Sequence, residues 1–223
     1  MLAMTKREKH AGSSGMDPDY HGARLMLDDD DVVLITVPGW GNSGDKHWQT
    51  LWELTYPLAR RVQQQDWLYP VREQWVAALD ALVRDSCGRI VLAAHSLGCH
   101  TVVEWLRTVD LATQRRIKGV LLVAPPALPI TEARARASGE LPEGAALPAF
   151  SGFTQASAGR LPVPAVMVAS QDDLFCDFAT AQAMAEQWGV RLVDAGCAGH
   201  MGSHAGLGSW AAGQQLLQRF ILA

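Results

Sequence analysis

The chain has 223 residues, of which 48% are hydrophobic and 19% are charged; this excludes a disordered chain and lets one domain bury a sizeable core. Its 19 basic and 23 acidic residues give a formal net charge of −4, which argues against a nucleic-acid partner because no basic surface is expected. The sequence has no apolar run near the roughly 18 residues of a membrane span and no apolar signal stretch at its start. Its four cysteines do not have the spacing of a disulfide framework. We therefore predict a cytoplasmic protein with no membrane partner.

A polar leader precedes the part of the sequence that carries structural patterns. Residues 1–26 contain glycines and serines and no apolar period, so we predict a mobile leader followed by one domain over 27–223. From residue 32 onward, short apolar and β-branched runs predict strands that are buried on both faces. These runs cover 32–37, 61–67, 89–94, 119–124, 163–169 and 190–194, and the run at 61–67 is the weakest.

Helical patterns separate the strand candidates. Strand followed by helix, repeated along the chain, predicts an α/β fold: one mostly parallel, doubly wound sheet of about six strands with helices on both faces. The proline-rich segment 126–161 is the single long interruption, and it is too short and irregular for a second domain. Apolar residues recur at helical spacing over 48–56, 75–83, 97–109, 179–188 and 210–221.

The segment Ala94-His95-Ser96-Leu97-Gly98 joins a predicted buried strand to a predicted apolar helix. Its small-x-Ser-x-Gly pattern is typical of a nucleophile elbow, a turn so tight that its first and last positions need small residues. The serine then stands at a helix N-terminus, where partial positive charge favours a developing oxyanion. A serine that only caps the helix is the alternative. His95 is expected to point off the opposite side of the turn and to serve packing.

Candidate partners for Ser96 follow two later strands. A serine hydroxyl needs a base, and the base needs an acid that orients it. Asp172 and Asp173 follow one strand candidate, and His200 lies in a glycine-rich loop after the next. Since Ser, acid, His is the chain order of the elbow fold, we predict Ser96 as the nucleophile and His200 as the base. From the residues alone, either aspartate could be the acid.

Backbone amides are expected to form the oxyanion hole. One donor belongs to the residue after the nucleophile, which is Leu97, and the other to the loop after the first strand, where we predict Trp40 ahead of Gly41. Trp40, Gly41, His47, Asp172 and segment 126–161 are candidates for the wall of the substrate cleft because of their positions at strand ends. His47 could instead only complete a hydrogen-bond network.

Two other chemistries fit parts of the sequence. Gly39-x-Gly41-x-x-Gly44 follows a predicted strand and precedes a helix, with Asp66 further on; this matches the dinucleotide fingerprint of an oxidoreductase.

Cys197, His200 and His204 are spaced like zinc ligands but lack a fourth ligand of matching spacing. The hydrolase interpretation accounts for more positions, because it also uses the glycines as the turn that aims a backbone donor. We therefore predict neither a metal nor an organic cofactor.

Taken together, these motifs are similar to those of one known family. They are Pro38-Gly39-Trp40-Gly41-Asn42-Ser43, His47-Trp48-Gln49, Ala94-His95-Ser96-Leu97-Gly98, Ser170-Gln171-Asp172-Asp173, Ala198-Gly199-His200 and Gly206-Leu207-Gly208-x-Trp210. The chain resembles the small serine hydrolases of the retinoblastoma-binding protein nine or YdeN-like type, within the α/β-hydrolase superfamily. The resemblance covers nearly everything past the leader.

This resemblance implies a compact α/β-hydrolase fold with little or no lid, a triad of Ser96, an aspartate and His200, and carboxylesterase-like activity. The family's acid stands before a proline and maps to Asp173; here Leu174 replaces that proline, so Asp172 stays an alternative. The expected function is a serine hydrolase that cleaves a small carboxylic ester through an acyl-enzyme. A binding or scaffold protein that keeps the fold with a weak site is the second class that the sequence allows.

Overall fold

Six strands form the centre of the computed structural model, which describes residues 31–154 and 159–223. The predicted leader over 1–26 lies outside the described residues. The strands are β1 (Val32–Val37), β2 (Ala59–Arg61), β3 (Arg89–His95), β4 (Ile117–Val123), β5 (Ala165–Ala169) and β6 (Arg191–Asp194). They make one sheet in the order β2-β1-β3-β4-β5-β6, and each neighbouring pair is parallel. The predicted α/β architecture is therefore confirmed.

Helices connect the strands, and each of the five predicted helices is present. The α-helices are α1 (Trp48–Glu53), α2 (Arg72–Asp85), α3 (Leu97–Thr108), α4 (Leu111–Gln114), α5 (Glu132–Ala137), α6 (Phe178–Trp188) and α7 (Ala211–Leu222), and a 3₁₀-helix covers Ser203–Ala205.

The sequence patterns placed one strand wrongly and missed the shortest helices. The strand predicted over 61–67 is the three-residue edge strand β2, which ends where the prediction began. After it the chain leaves the sheet and turns around Asp66, whose carboxylate accepts hydrogen bonds from two backbone amides. Helices α4 and α5 were missed because one or two turns are too short for an apolar period. Each begins instead at a capping side chain, Asp110 and Thr131 respectively.

The sheet is buried on both faces, which explains the continuous apolar runs of its strands. Side chains of β1 alternate between the two faces: Val33, Ile35 and Val37 join the core under α2, α3 and α6. Leu34 joins the opposite core with α1 and α7. In the part of the chain that the structure describes, no helix has the length and apolar character needed to cross a membrane.

A third apolar cluster includes the N-terminal residue of α3. Most of its buried members come from the proline-rich interruption, so the described part of that segment packs on the body of the domain rather than standing off it as a separate lid. The members are Trp75, Leu97, Ile130, Ala135, Leu141, Phe150, Phe153 and Phe175.

Helix α3 approaches the end of β1 so closely that only glycine fits at position 98. A Cβ atom there would lie 2.2 Å from the Val37 carbonyl oxygen and 2.6 Å from that of Pro38. Both obstacles are backbone atoms, which cannot rotate away. The glycine of the elbow pattern therefore sets the distance between the helix and the sheet.

We expect Gly98→Ala to lower the free energy of unfolding by about 3 kcal/mol, since the added methyl group pushes the helix off the sheet. Gly44→Ala is the matched control, because a Cβ atom at that position meets nothing nearer than 3.6 Å; its effect should stay within about 0.5 kcal/mol. Urea unfolding followed by circular dichroism measures both. Equal stability of the two variants would contradict the packing argument.

His100 is a buried histidine inside α3. Its Nε2 donates to the Pro126 carbonyl oxygen at 2.8 Å, and its Nδ1 is buried with no partner among the described residues. Burial lowers the pKa of the His100 imidazole from 6.5 to about 4. Between these two values the unfolded chain binds a proton that the folded chain does not, so stability falls as the pH falls.

From this one residue we expect a stability loss of about 2 kcal/mol between pH 7 and pH 5. His100→Gln removes the titrating ring and keeps an N–H for the Pro126 carbonyl. The loss between the two pH values, measured by urea unfolding, should therefore be smaller in the variant by about that amount. A pH dependence identical to that of the parent protein would refute the assignment.

Candidate active site

Ser96 stands at the sharp turn between β3 and α3. Its backbone has φ 53° and ψ −126°, a left-handed conformation that is costly for a residue with a side chain. The side chain makes no capping hydrogen bond to α3, which argues against the alternative of a simple helix cap. Across the turn, a Cβ atom on Gly39 would lie 2.7 Å from the Ser96 Cβ atom. The loop after β1 can therefore pass this close to the serine only as glycine.

The imidazole of His200 bridges Ser96 and Asp173. Its Nε2 lies 2.8 Å from the Ser96 Oγ, and its Nδ1 lies 2.9 and 3.0 Å from the two Asp173 carboxylate oxygens. A carboxylate only accepts, so the ring proton is on Nδ1, and Nε2 is left to accept from the serine hydroxyl. The structure thus brings the predicted nucleophile, base and acid into one hydrogen-bonded chain.

The two candidate acids make different contacts. Asp173 is buried, and it accepts a further hydrogen bond from the Phe175 amide at 2.8 Å. Asp172 makes no hydrogen bond to the His200 ring among the described residues; its Oδ1 accepts from the Ser170 hydroxyl at 2.6 Å and from the Gly199 amide at 2.7 Å. These two hydrogen bonds lower the pKa of the Asp172 carboxyl. Asp172 therefore braces the loop that carries the histidine.

The turn after β1 leaves one inner amide free for an oxyanion. The Asn42 amide closes the turn on the Gly39 carbonyl oxygen at 3.1 Å, and the Gly41 amide donates to Trp67 at 3.0 Å. Trp40 and Gly41 are the two central residues of this turn. Of their backbone amides, only that of Trp40 has no backbone acceptor within the described chain. Leu97 is the first residue of α3, where an amide has no partner inside the helix. This geometry favours the predicted pair Leu97 and Trp40 over Gly41.

His47 caps α1 and also borders the site. Its Nδ1 accepts from the Gln49 amide at 3.1 Å, while its Nε2 is buried with no hydrogen-bond partner in the described structure. Burial, with contributions from nearby Arg61 and His200, lowers the pKa of His47 to about 3. The residue is therefore neutral. It lines the inner cavity and also takes part in a hydrogen bond, so it fits both roles left open by the sequence, cleft wall and member of a hydrogen-bond network.

His95 lies on the side of the site, which corrects the prediction that it points away. Its Nε2 donates to the backbone carbonyl oxygen of His200 at 2.8 Å. The ring centroid is 5.1 Å from that of His200 and 4.7 Å from that of His47. Burial holds the pKa of His95 well below its usual range. A neutral histidine next to Ser96 thus fixes the backbone of the loop that carries His200.

Arg61 is a positioning residue that sequence reasoning missed. Its Nη1 donates to the Ser43 carbonyl oxygen at 2.9 Å and to the Asn42 side-chain oxygen at 3.2 Å. The same guanidinium pairs with Glu53 at 2.9 Å. Through these contacts the arginine stabilises the position of the loop after β1. No local motif signals this contact, because it joins the edge strand to a distant loop.

Two adjoining cavities open at the site. The inner cavity, of about 180 Å³, is lined by Ser96, Trp40, His47, Phe175 and other residues of the turn and the histidine loop. The outer cavity, of about 350 Å³, borders His200 but not Ser96. Four residues line both cavities: Glu140, His200, Gly202 and His204.

The two alternative chemistries do not match this geometry. The glycines after β1 turn against Ser96 instead of opening a helix, and α1 begins only at Trp48. Asp66 uses its carboxylate on amides of its own loop, so it is not the free ribose ligand of a dinucleotide site. Within the described residues, no three His, Cys, Asp or Glu side chains are grouped to hold a metal ion.

The parallel sheet, the left-handed turn at Ser96 and the histidine loop define the α/β-hydrolase class. The chain belongs to the serine hydrolase family, whose model matches residues 34–219. No curated protein matches the sequence. The family resemblance that was drawn from the motifs is thereby confirmed.

Solved structures share this fold. A YdeN-like hydrolase from Pectobacterium atrosepticum is 29% identical, with a TM-score of 0.69 over 85% of this chain and 90% of that chain. The ydeN gene product of B. subtilis is 20% identical, with a TM-score of 0.64 over 86% and 99%. An esterase from Thermogutta terrifontis is 17% identical, with a TM-score of 0.54 over 85% and 90%. The last two likenesses concern the fold alone.

The proton on His200 Nδ1 offers a direct test of this geometry. Because it is donated to a buried carboxylate, we expect a far-downfield proton resonance in the NMR spectrum. Asp173→Asn should remove or strongly shift that resonance, and Asp172→Asn should leave it in place. The opposite pattern would mean that Asp172 is the partner of the ring.

Proposed function

We propose that this serine hydrolase cleaves a small carboxylic ester through an acyl-enzyme, with Ser96 as nucleophile, His200 as base and Asp173 as orienting acid. The observation that carries the proposal is the hydrogen-bonded chain from the Ser96 Oγ through the His200 ring to the Asp173 carboxylate. In this tautomer of His200 the proton is on Nδ1, so Nε2 can receive the serine proton.

In the proposed acylation step, the Ser96 Oγ attacks the ester carbonyl carbon while His200 Nε2 takes the hydroxyl proton. The tetrahedral intermediate collapses, the bond between the carbonyl carbon and the alcohol oxygen breaks, and Nε2 returns the proton to the departing alcohol. A water molecule then gives a proton to Nε2 and attacks the acyl carbon. Ser96 leaves with that proton, and the carboxylic acid is released.

The oxyanion formed in both steps is proposed to accept from the amides of Leu97 and Trp40. Each donor of this kind typically contributes about 3 kcal/mol to the transition state. The donors are backbone atoms, so their positions depend on the loop that Arg61 holds and on Gly39. Each proton of the cycle moves between substrate, water and a side chain of this chain, so the proposal needs no cofactor.

The size and walls of the inner cavity support a small ester as the partner. About 180 Å³ is available beside Ser96. Trp40 is fixed by an edge contact to Phe150 with ring centroids 5.1 Å apart, and Phe175 lies 4.4 Å from the His200 ring. Because these aromatic side chains are packed against neighbouring rings, they do not easily move aside for a long acyl chain.

Labelling with a fluorophosphonate probe separates an enzyme from a scaffold protein with an unused site. We expect the folded protein to be labelled and Ser96→Ala not to be labelled, because the attacking oxygen is gone. His200→Ala should slow labelling by at least about 10⁴-fold, since the hydroxyl loses its base. Labelling is measured as the rate of fluorescence incorporation. A folded parent protein that does not react would favour the scaffold function.

A matched pair of variants tests the acid in the same assay. Asp173→Asn should slow labelling by about 10⁴-fold, because an amide favours the wrong ring tautomer. Asp172→Asn should react nearly as fast as the parent, since its amide oxygen can still accept from Ser170 and Gly199. If only the Asp172 variant loses activity, the proposed triad is wrong.

A further inference from the structure

The outer cavity borders the residue that would protonate the departing alcohol. His200 lines it and Ser96 does not. In the proposed reaction the His200 Nε2 proton goes to the alcohol oxygen, so the alcohol must extend past this ring as it departs. The outer cavity adjoins the inner one, since four residues line both. It is therefore placed to hold the alcohol part of an ester whose carbonyl group is at Ser96.

Carboxylate side chains line the two cavities, and no lysine or arginine lies among the described lining residues. The carboxylates belong to Glu140 and Asp172. His47 and His95 bring no positive charge, because burial lowers the pKa of both rings. Asp172 already accepts two hydrogen bonds. Glu140 is exposed, and in the described chain its carboxylate has neither an ion-pair nor a hydrogen-bond partner.

An exposed apolar side chain stands in the same cavity. Leu174 lines the outer cavity and is 51% exposed, so its alkyl side chain is accessible to a ligand in that cavity. Ala137 and Ala205 add further apolar lining. A carboxylate next to alkyl surface is the combination that suits an ammonium group carrying methyl or methylene groups.

We propose that the outer cavity binds the alcohol part of the ester and that Glu140 selects an alcohol bearing a cationic ammonium group over a neutral one of the same shape. The inference rests on the proposed ester hydrolysis and adds its substrate class. Because Glu140 is exposed, the selection should be modest, up to about fivefold in kcat/KM. It should shrink at high salt, since the charge is screened.

Acetylcholine and 3,3-dimethylbutyl acetate test the proposal, because they differ in charge and hardly in shape. We expect the parent protein to favour acetylcholine in kcat/KM, and Glu140→Gln to lose that preference, so that the ratio of the two kcat/KM values falls by up to about fivefold. Glu143→Gln is the matched control: this residue is an exposed glutamate three positions along the same loop and lines neither cavity. It should keep the preference of the parent.

Each remaining outcome is informative. If the neutral ester is hydrolysed and Glu140→Gln does not change the ratio of the two rates, the charge selection is wrong while the ester hydrolase stands. If Glu143→Gln changes the ratio as much as Glu140→Gln does, the effect is one of overall charge and the assigned cavity is wrong. If neither ester is hydrolysed and the fluorophosphonate probe does not react, the proposed function itself fails.

Discussion

The bridging position of one imidazole is the constraint on which this site depends. His200 contacts side chains from two other parts of the chain, Ser96 after β3 and Asp173 after β5. All six strands are parallel, so these side chains emerge at the same edge of the sheet. The ring also needs a fixed backbone. His95 supplies it through the His200 carbonyl oxygen, and Asp172 through the neighbouring Gly199 amide.

The position of Ser96 requires backbone segments to lie unusually close to one another. The left-handed turn at Ser96 costs on the order of 1–3 kcal/mol. The end of β1 and the loop after it lie so close to this turn and to the start of α3 that glycine is required at positions 39 and 98. Apolar packing on both faces of the sheet offsets this cost, because β3 is buried between the two cores. The strain is thus confined to the turn and supported by the rigid layer beneath it.

The fold and the main site residues could be predicted from the sequence because both follow from strands that are marked by apolar runs. Ser96, Asp173 and His200 each come soon after an apolar run, and the order of parallel strand ends then brings them together. It was the family pattern that favoured Asp173; the residues alone left Asp172 and Asp173 open, since adjacent residues of one turn differ only in where their side chains point. The contact made by His95 was missed for the same reason. The edge strand β2 was misplaced because three residues carry little pattern.

In the proposed reaction, catalysis and substrate choice depend on different parts of this molecule. The strand ends supply a nucleophile, a base and backbone donors, which any ester could use. The residues that could distinguish one ester from another lie elsewhere: Glu140 in the segment after α5, and Leu174 at the position where the family pattern has proline. Both lie outside the sheet, so they can change without disturbing the turn at Ser96. Specificity in this chain is therefore best sought in those segments, because the sheet constrains the catalytic geometry and leaves the cavity walls free to vary.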